Sequence, residues 1–126
     1  MNVMAWVLQA LLAAVFLAHG WMLLFPPPEV AVQMNAMLPR WFSLCIGVVE
    51  VAAALGLTLP GVLRIQPRLI ALAAAGLVPL MTGAAVLHAQ RGESLGTVIT
   101  ATLLALAATV AYLRWKVIPI ASRAHA

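Results

Sequence analysis

Four long apolar runs, at residues 3–25, 41–59, 69–89 and 95–115, constrain this chain more than any other feature of its sequence. Each run is about as long as the ~20 residues with which an α-helix crosses the hydrocarbon core of a bilayer. The chain of 126 residues is 65% hydrophobic and 8% charged, so a soluble domain of this size could not hide its apolar surface. Membrane β-strands are shorter and alternate in polarity, so continuous runs favour helices. The sequence therefore predicts an all-α integral membrane four-helix bundle, a single transmembrane domain over residues 1–126.

Helix-breaking residues separate the four runs. The prolines at 26–28 are expected to end the first helix, and Pro60-Gly61 is expected to end the second. Pro67 precedes the third run, and the polar segment 90–94 predicts the turn into the fourth. The loop at 29–40 has helix-like apolar spacing, which predicts a short amphipathic segment in the headgroup region: Val30, Met34, Met37 and Leu38.

The distribution of basic residues predicts the orientation in the membrane. Four spans place both termini on the same side as the second loop, and five of the seven basic residues lie there: Arg64, Arg68, Arg114, Lys116 and Arg123. Only Arg40 and Arg91 lie on the other side. The positive-inside rule therefore predicts that both termini, including a short tail at 116–126, face the cytoplasm. The basic residues form no patch with interleaved aromatics, so no nucleic-acid partner is expected.

Small residues in the second and third runs predict close helix packing. Packing and hydrogen bonds drive helix association in lipid, so small residues mark the faces where helices approach each other. One face of the second run carries such residues together with a carboxylate: Ser43, Gly47, Glu50 and Ala54. Gly76, Gly83 and Ala84 predict a similar approach on the third run.

Three titratable residues fall in the outer half of three different runs. At ~1.5 Å per residue, Glu50 and His19 lie ~14 Å and ~9 Å below the outer ends of their runs, and His88 lies within ~5 Å. An ionisable group inside a membrane costs ~3 kcal/mol or more, so it is a functional candidate that needs a partner. We predict His19 as the partner of Glu50, because their depths are similar on consecutive antiparallel helices.

The residue types leave several roles open for this group. Glu50 can form a hydrogen bond that fixes the register of the helices, or it can take up and release protons together with His19. His88 lies close enough to the membrane–water interface to reach water and headgroups, so its presence does not require a function. A haem held by His19 and His88, or a metal held by both with Glu50, would need these side chains to converge, and no diagnostic spacing predicts this. The sequence therefore does not identify a cofactor, and it assigns no metal ligand and no catalytic residue. Gln9 is expected to form a hydrogen bond between helices.

The second run, FSLCIGVVEVAAALGLTLPG, and the third, PLMTGAAVLHAQRGE, together resemble the DoxX-like family of small bacterial membrane proteins. The matching motif is Gly47, two apolar residues and Glu50, followed by Gly56-Leu57 and Pro60; in the third run the match is the small residues that end in His88. Many relatives carry a lysine shortly after a glycine at the end of the first helix. Here Trp21 follows Gly20, so His19 is the residue that could replace this lysine as the partner of the carboxylate.

The resemblance implies a four-helix bundle in the bacterial inner membrane and an association with redox or quinone-linked membrane complexes. The sequence therefore predicts an accessory or assembly subunit of a larger membrane complex, without catalytic activity of its own. Expected contacts are the lipid bilayer and other membrane subunits or copies of the chain. The alternatives are a small proton-coupled transporter that uses Glu50, because such transporters also combine four spans with one buried glutamate, and a haem- or quinone-binding subunit that uses His19 and His88.

Overall fold

The computed structural model describes residues 2–123, and these form five α-helices without any strand. The elements are α1 (Asn2–Leu24), α2 (Pro28–Met37), α3 (Arg40–Leu63), α4 (Arg68–Gln90) and α5 (Ser94–Tyr112), which continues as a π-helical segment (Leu113–Val117). Four of them, α1, α3, α4 and α5 with its π-helical segment, are long and apolar enough to cross a membrane. The predicted all-α membrane bundle is confirmed. Residues 124–126 of the predicted tail lie outside the described part of the chain.

The bundle consists of two antiparallel helix pairs. α1 packs along α3, α4 packs along α5, and the contact between α3 and α4 joins the pairs, whereas α1 touches α5 much less. Apolar residues from all four long helices fill the centre, including Phe16, Leu57, Leu77 and Val110. We call the end that carries α2 and the turn at 91–93 the α2 end. The opposite end, with residues 64–67 and 113–123, is the basic end.

Arg40 ties the start of α3 to the end of α1. Its guanidinium donates hydrogen bonds to the carbonyl oxygens of Leu23 and Leu24, at 2.7 Å and 2.8 Å. These carbonyls would normally accept from the N–H groups four residues later, but those positions are Pro27 and Pro28, which have no N–H. Arg40, expected only as an orientation signal, therefore supplies the donors that the prolines remove.

The prediction that Pro60-Gly61 ends the second helix is wrong, because α3 continues to Leu63 with Pro60 inside it. Proline removes only its own N–H bond, and its carbonyl still accepts from the backbone N–H groups of Arg64 and Ile65. Gly61 is buried, and a Cβ there would lie 2.7 Å from the Trp6 ring. Tertiary packing against α1 thus favours the additional helical turn. The helix ends at Arg64, whose φ of 55° is left-handed.

The predicted close approach at Gly76 and Gly83 is wrong for the isolated chain. Both glycines are exposed, and a Cβ added at either would meet no atom of another part of residues 2–123 within 4 Å. Ala84 does pack against the core. The small residues on this part of α4 therefore leave open space beside the helix instead of bringing another helix close.

Candidate functional site

Glu50 and His19 form a pair between α3 and α1. The distance from His19 Nδ1 to Glu50 Oε2 is 2.7 Å. The Glu50 side chain is 2% exposed, whereas the His19 side chain is 51% exposed. The face of α3 predicted to pack against other helices is buried at Ser43, Gly47 and Ala54 as well, which confirms that prediction. The carboxylate is therefore enclosed by protein, and it reaches the surroundings through the imidazole.

Two glycines make this pair possible by letting α1 and α3 cross closely beside it. A Cβ at Gly47 would lie 3.0 Å from the Gly20 carbonyl oxygen and 3.0 Å from Leu24 Cγ. A Cβ at Gly20 would lie 3.0 Å from Glu50 Cβ and 3.0 Å from the Gly47 carbonyl oxygen. Small residues allow such backbone approach between membrane helices. Each glycine sits beside a member of the pair, so the crossing fixes the position of both polar side chains.

The hydrogen bond at Nδ1 determines what the His19 ring can offer to a ligand. A neutral ring that donates Nδ1–H to the carboxylate has an acceptor at Nε2, and a protonated ring has a donor there. The carboxyl group of Glu50 orients the ring, as a buried acid does for a catalytic histidine. The pair can therefore accept or donate a hydrogen bond at one position and can take up or release a proton there.

His88 pairs with Glu93 at the α2 end. His88 Nδ1 makes a short hydrogen bond to Glu93 Oε2 across the turn between α4 and α5. Gly96 leaves room for the ring, because a Cβ at that position would lie 2.6 Å from His88 Nδ1. Glu93 was expected only as part of a turn. A histidine at the end of one helix and a glutamate five residues later, in the turn before the next helix, is the sequence signal that could have indicated this pair.

The Glu50–His19 pair and His88 line one cavity of about 800 Å³. It lies at the α2 end, and residues of all five helices contribute to its wall. Its polar lining consists of His19, Ser43, Glu50, His88, Gln90, Arg91 and Thr100, and most of the remainder is apolar, including Phe16, Met34, Met37, Phe42, Met81 and Leu103. This volume is within the ~300–1,000 Å³ of small-molecule sites, which are mostly apolar with a few polar groups.

Ser43 adds an unused polar group to the cavity. Its hydroxyl is buried and has no hydrogen-bond partner among the described residues. It lies on the same face of α3 as Glu50 and lines the same cavity. Buried hydroxyls in proteins are nearly always bonded, so an unpartnered one in a cavity wall indicates a place for a ligand atom or a water molecule.

The described residues contain no group of three or more His, Cys, Asp and Glu side chains that could hold a metal ion. His19 and Glu50 meet on one wall of the cavity, and His88 meets Glu93 instead. Gln9 donates to the carbonyl oxygen of Leu57 at 2.8 Å, which confirms its predicted interhelical bond.

The fold and the site define a small four-helix membrane protein with a buried carboxylate–imidazole pair beside an apolar cavity. The sequence pattern of the DoxX-like family matches residues 7–110, which include both members of this pair and His88. The chain belongs to the DoxX-like family, as its sequence motifs predicted. No curated protein and no solved structure shows a significant match to it.

Proposed function

We propose that this protein binds an apolar molecule inside the membrane, and that the molecule has a polar head group that exchanges protons. A membrane quinone is a ligand of this chemical class. The observation that carries the proposal is the position of the Glu50–His19 pair at the wall of a large, mostly apolar cavity. The apolar walls suit a ring and its hydrocarbon tail. The imidazole of His19 and the hydroxyl of Ser43 suit the oxygen atoms of the head group, since each can donate or accept a hydrogen bond.

The two imidazole–carboxylate pairs support a ligand that gains or loses protons. A quinone accepts hydrogen bonds at its carbonyl oxygens, and the corresponding quinol donates them from its hydroxyls. An imidazole held by a carboxylate can serve both forms, because Nε2 is a donor when the ring is protonated and an acceptor when it is neutral. His19 and His88 both line the cavity, so each offers one such group to the head of the ligand.

Narrowing the cavity is expected to weaken ligand binding without disturbing the fold. Gly83 lines the cavity, and a Cβ there would meet no described atom within 4 Å, so Gly83→Phe adds a ring at the cavity wall without a clash at its Cβ. We expect the affinity for a short-chain benzoquinone, measured by quenching of tryptophan fluorescence in detergent, to fall at least about tenfold, or ~1.4 kcal/mol.

Gly76→Phe is the matched control for this experiment, because Gly76 lies on the same helix, also has open space, and does not line the cavity. The control should bind the probe like the original protein. Equal quenching of the original protein and the Gly83→Phe variant would contradict a ligand site in this cavity.

The predicted role as an accessory or assembly subunit is a second candidate, and the outward face of α5 favours it. α5 with its π-helical segment is the least buried of the four spans. Its exposed positions include small residues suited to helix contacts: Ala101, Thr102, Ala105, Ala108 and Thr109. Other subunits that co-purify after gentle detergent extraction, and that are lost when Ala105 is replaced by tryptophan, would support this role; isolation of the chain alone would contradict it.

The transporter and haem alternatives remain predictions. A transporter would move a substrate in exchange for protons at Glu50, and uptake by vesicles under a pH gradient would reveal it. A haem held by His19 and His88 would give the purified protein a Soret absorption band. The quinone proposal requires neither result.

We also propose that the protein lies in the bacterial inner membrane with its basic end in the cytoplasm, because most of its cations lie at that end. A fluorescent-protein fusion after Ala126 should be bright, and an alkaline-phosphatase fusion at the same position should be inactive. The reverse pattern would contradict this orientation and would place the cavity at the cytoplasmic side.

A further inference from the structure

The short helix α2 forms part of the wall of the cavity at its own end of the bundle. Met34 and Met37 of α2 line this cavity, together with Leu38 directly after the helix. The polar residues of α2 are all exposed, and its half-buried residues are all apolar: Val30, Ala31 and Met34. α2 therefore turns its more apolar side toward the bundle and its polar residues away from it.

α2 is held less firmly than the other helices. It is the one helix of the five described that contains no buried residue. Among residues 2–123, no backbone hydrogen bond joins α2 to α1 or α3. Residues 26–27 and 38–39 are short connections to these neighbours, and each contains proline. Segments with few buried contacts are those that open at a low cost in free energy. α2 can therefore move away from the bundle with less loss of packing than any of the membrane spans.

A hydrogen bond from Arg91 ties α2 to the α4–α5 pair. Arg91 lies in the turn between α4 and α5, and its guanidinium donates to the carbonyl oxygen of Met37 at 3.3 Å. Met37 is the last residue of α2, and the last carbonyls of a helix lack an N–H partner within the helix. A cation at this position also interacts favourably with the helix dipole. Arg91 is exposed, so breaking the bond leaves its guanidinium solvated and costs little free energy.

We propose that α2 is a lid on the cavity and that the bond from Arg91 to Met37 holds this lid closed. Both residues line the cavity, so the bond lies at its boundary. When the bond breaks, α2 rotates about its two proline-containing connections and opens the cavity at the α2 end. A closed lid separates a bound molecule from water, and an open lid lets it enter and leave. The flexible side chains of Met34 and Met37 can adapt to the molecule they cover. The part of the lid in ligand exchange rests on the proposed function, whereas its motion requires no ligand.

The first test measures the position of α2 in the ligand-free protein by electron–electron double resonance. Spin labels are attached at Gln33→Cys on α2 and Leu95→Cys on α5, which are exposed positions that do not line the cavity, in a Cys45→Ser background. We expect Arg91→Ala to increase the population of longer distances by about two- to tenfold, as expected for the loss of one exposed hydrogen bond. Equal distance distributions with and without Arg91 would overturn the proposal.

The second test measures the rates at which a short-chain benzoquinone binds and leaves, by stopped-flow quenching of tryptophan fluorescence. Arg91→Ala should raise the association and dissociation rates together, by about two- to tenfold, because an open lid speeds passage in both directions. The affinity should change little, since the same bond holds the lid in the free and the bound protein. A rise in the dissociation rate alone would overturn the proposal, because it would show that Arg91 contacts the ligand instead of holding α2.

Arg68→Ala is the matched control, because it removes an exposed arginine at the other end of α4 that has no side-chain hydrogen bond among residues 2–123. It should leave the distances and both rates unchanged. Equal effects of Arg68→Ala and Arg91→Ala would overturn the proposal in favour of a general effect of charge. Longer distances in Arg91→Ala, in a protein that binds no quinone, would support the lid and contradict the proposed function.

Discussion

Replacing Gly47 by leucine is expected to separate α1 from α3 and to prevent stable folding of the bundle. A Cβ at this position already lies 3.0 Å from a backbone oxygen of Gly20, which cannot move without displacing α1. The remaining atoms of leucine would then have no space. Overpacking typically costs ~1–3 kcal/mol, and a clash with a backbone atom belongs at the upper end of this range, which is a large part of the stability of a small bundle. The free energy of unfolding, measured by titration with SDS and circular dichroism, should fall accordingly.

The matched control is Gly76→Leu, in which the same side chain is added to a membrane helix at a position with open space. Its stability should be unchanged or slightly higher, because leucine favours helix more than glycine does. Gly47→Ala should fall between the two variants. If Gly47→Leu unfolds at the same SDS fraction as Gly76→Leu, the close crossing of α1 and α3 is not required for the fold.

Glu50→Gln is expected to weaken ligand binding while the protein remains folded. The amide has the same shape as the carboxylate and can still hydrogen-bond to His19, so the stability should change by ~1 kcal/mol or less. The carboxyl group at position 50 is lost, so this position can no longer take up or release a proton. We expect the affinity for a short-chain quinone to fall at least about tenfold, ~1.4 kcal/mol. His19→Ala should have a comparable effect on binding.

Glu29→Gln is the control for this substitution, since Glu29 is an exposed carboxylate on α2 that does not line the cavity. It should leave both stability and binding unchanged. A Glu50→Gln variant that folds and binds the quinone with unaltered affinity would show that Glu50 only fixes helix register. The same readout would then contradict the proposed ligand role, whereas the Gly83→Phe experiment would still report on the cavity itself.

Local patterns in the sequence were sufficient to predict the spans and the buried face of α3. A continuous apolar run of span length indicates a membrane helix whatever surrounds it, because lipid imposes the same requirement at every position. The spacing from Ser43 to Ala54 places small and polar residues on one face, and helices in lipid pack through such faces. The depth estimate for Glu50 and His19 needed only the rise of a helix, and the two side chains do meet.

Other predictions failed where a residue's role depends on a distant part of the chain. Gly76 and Gly83 lack a Cβ just as Gly47 does. Nothing in the sequence tells which of these glycines faces a helix and which faces open space. Pro60 breaks isolated helices, but the packing of Trp6 against Gly61 extends α3 beyond it. In both cases the deciding contact comes from another helix.

By itself, the sequence determined that this protein is a bundle of four membrane helices, that it belongs to the DoxX-like family, and that Glu50 lies on a packed face. Tertiary structure alone decided that Arg40 completes the end of α1 and that Arg114 lies buried against Gln9. Periodicity and hydropathy act over neighbouring residues and can be read along the chain. The guanidinium contacts and the cavities depend on how far apart the two helix pairs lie, and that separation is set by side chains distant in sequence.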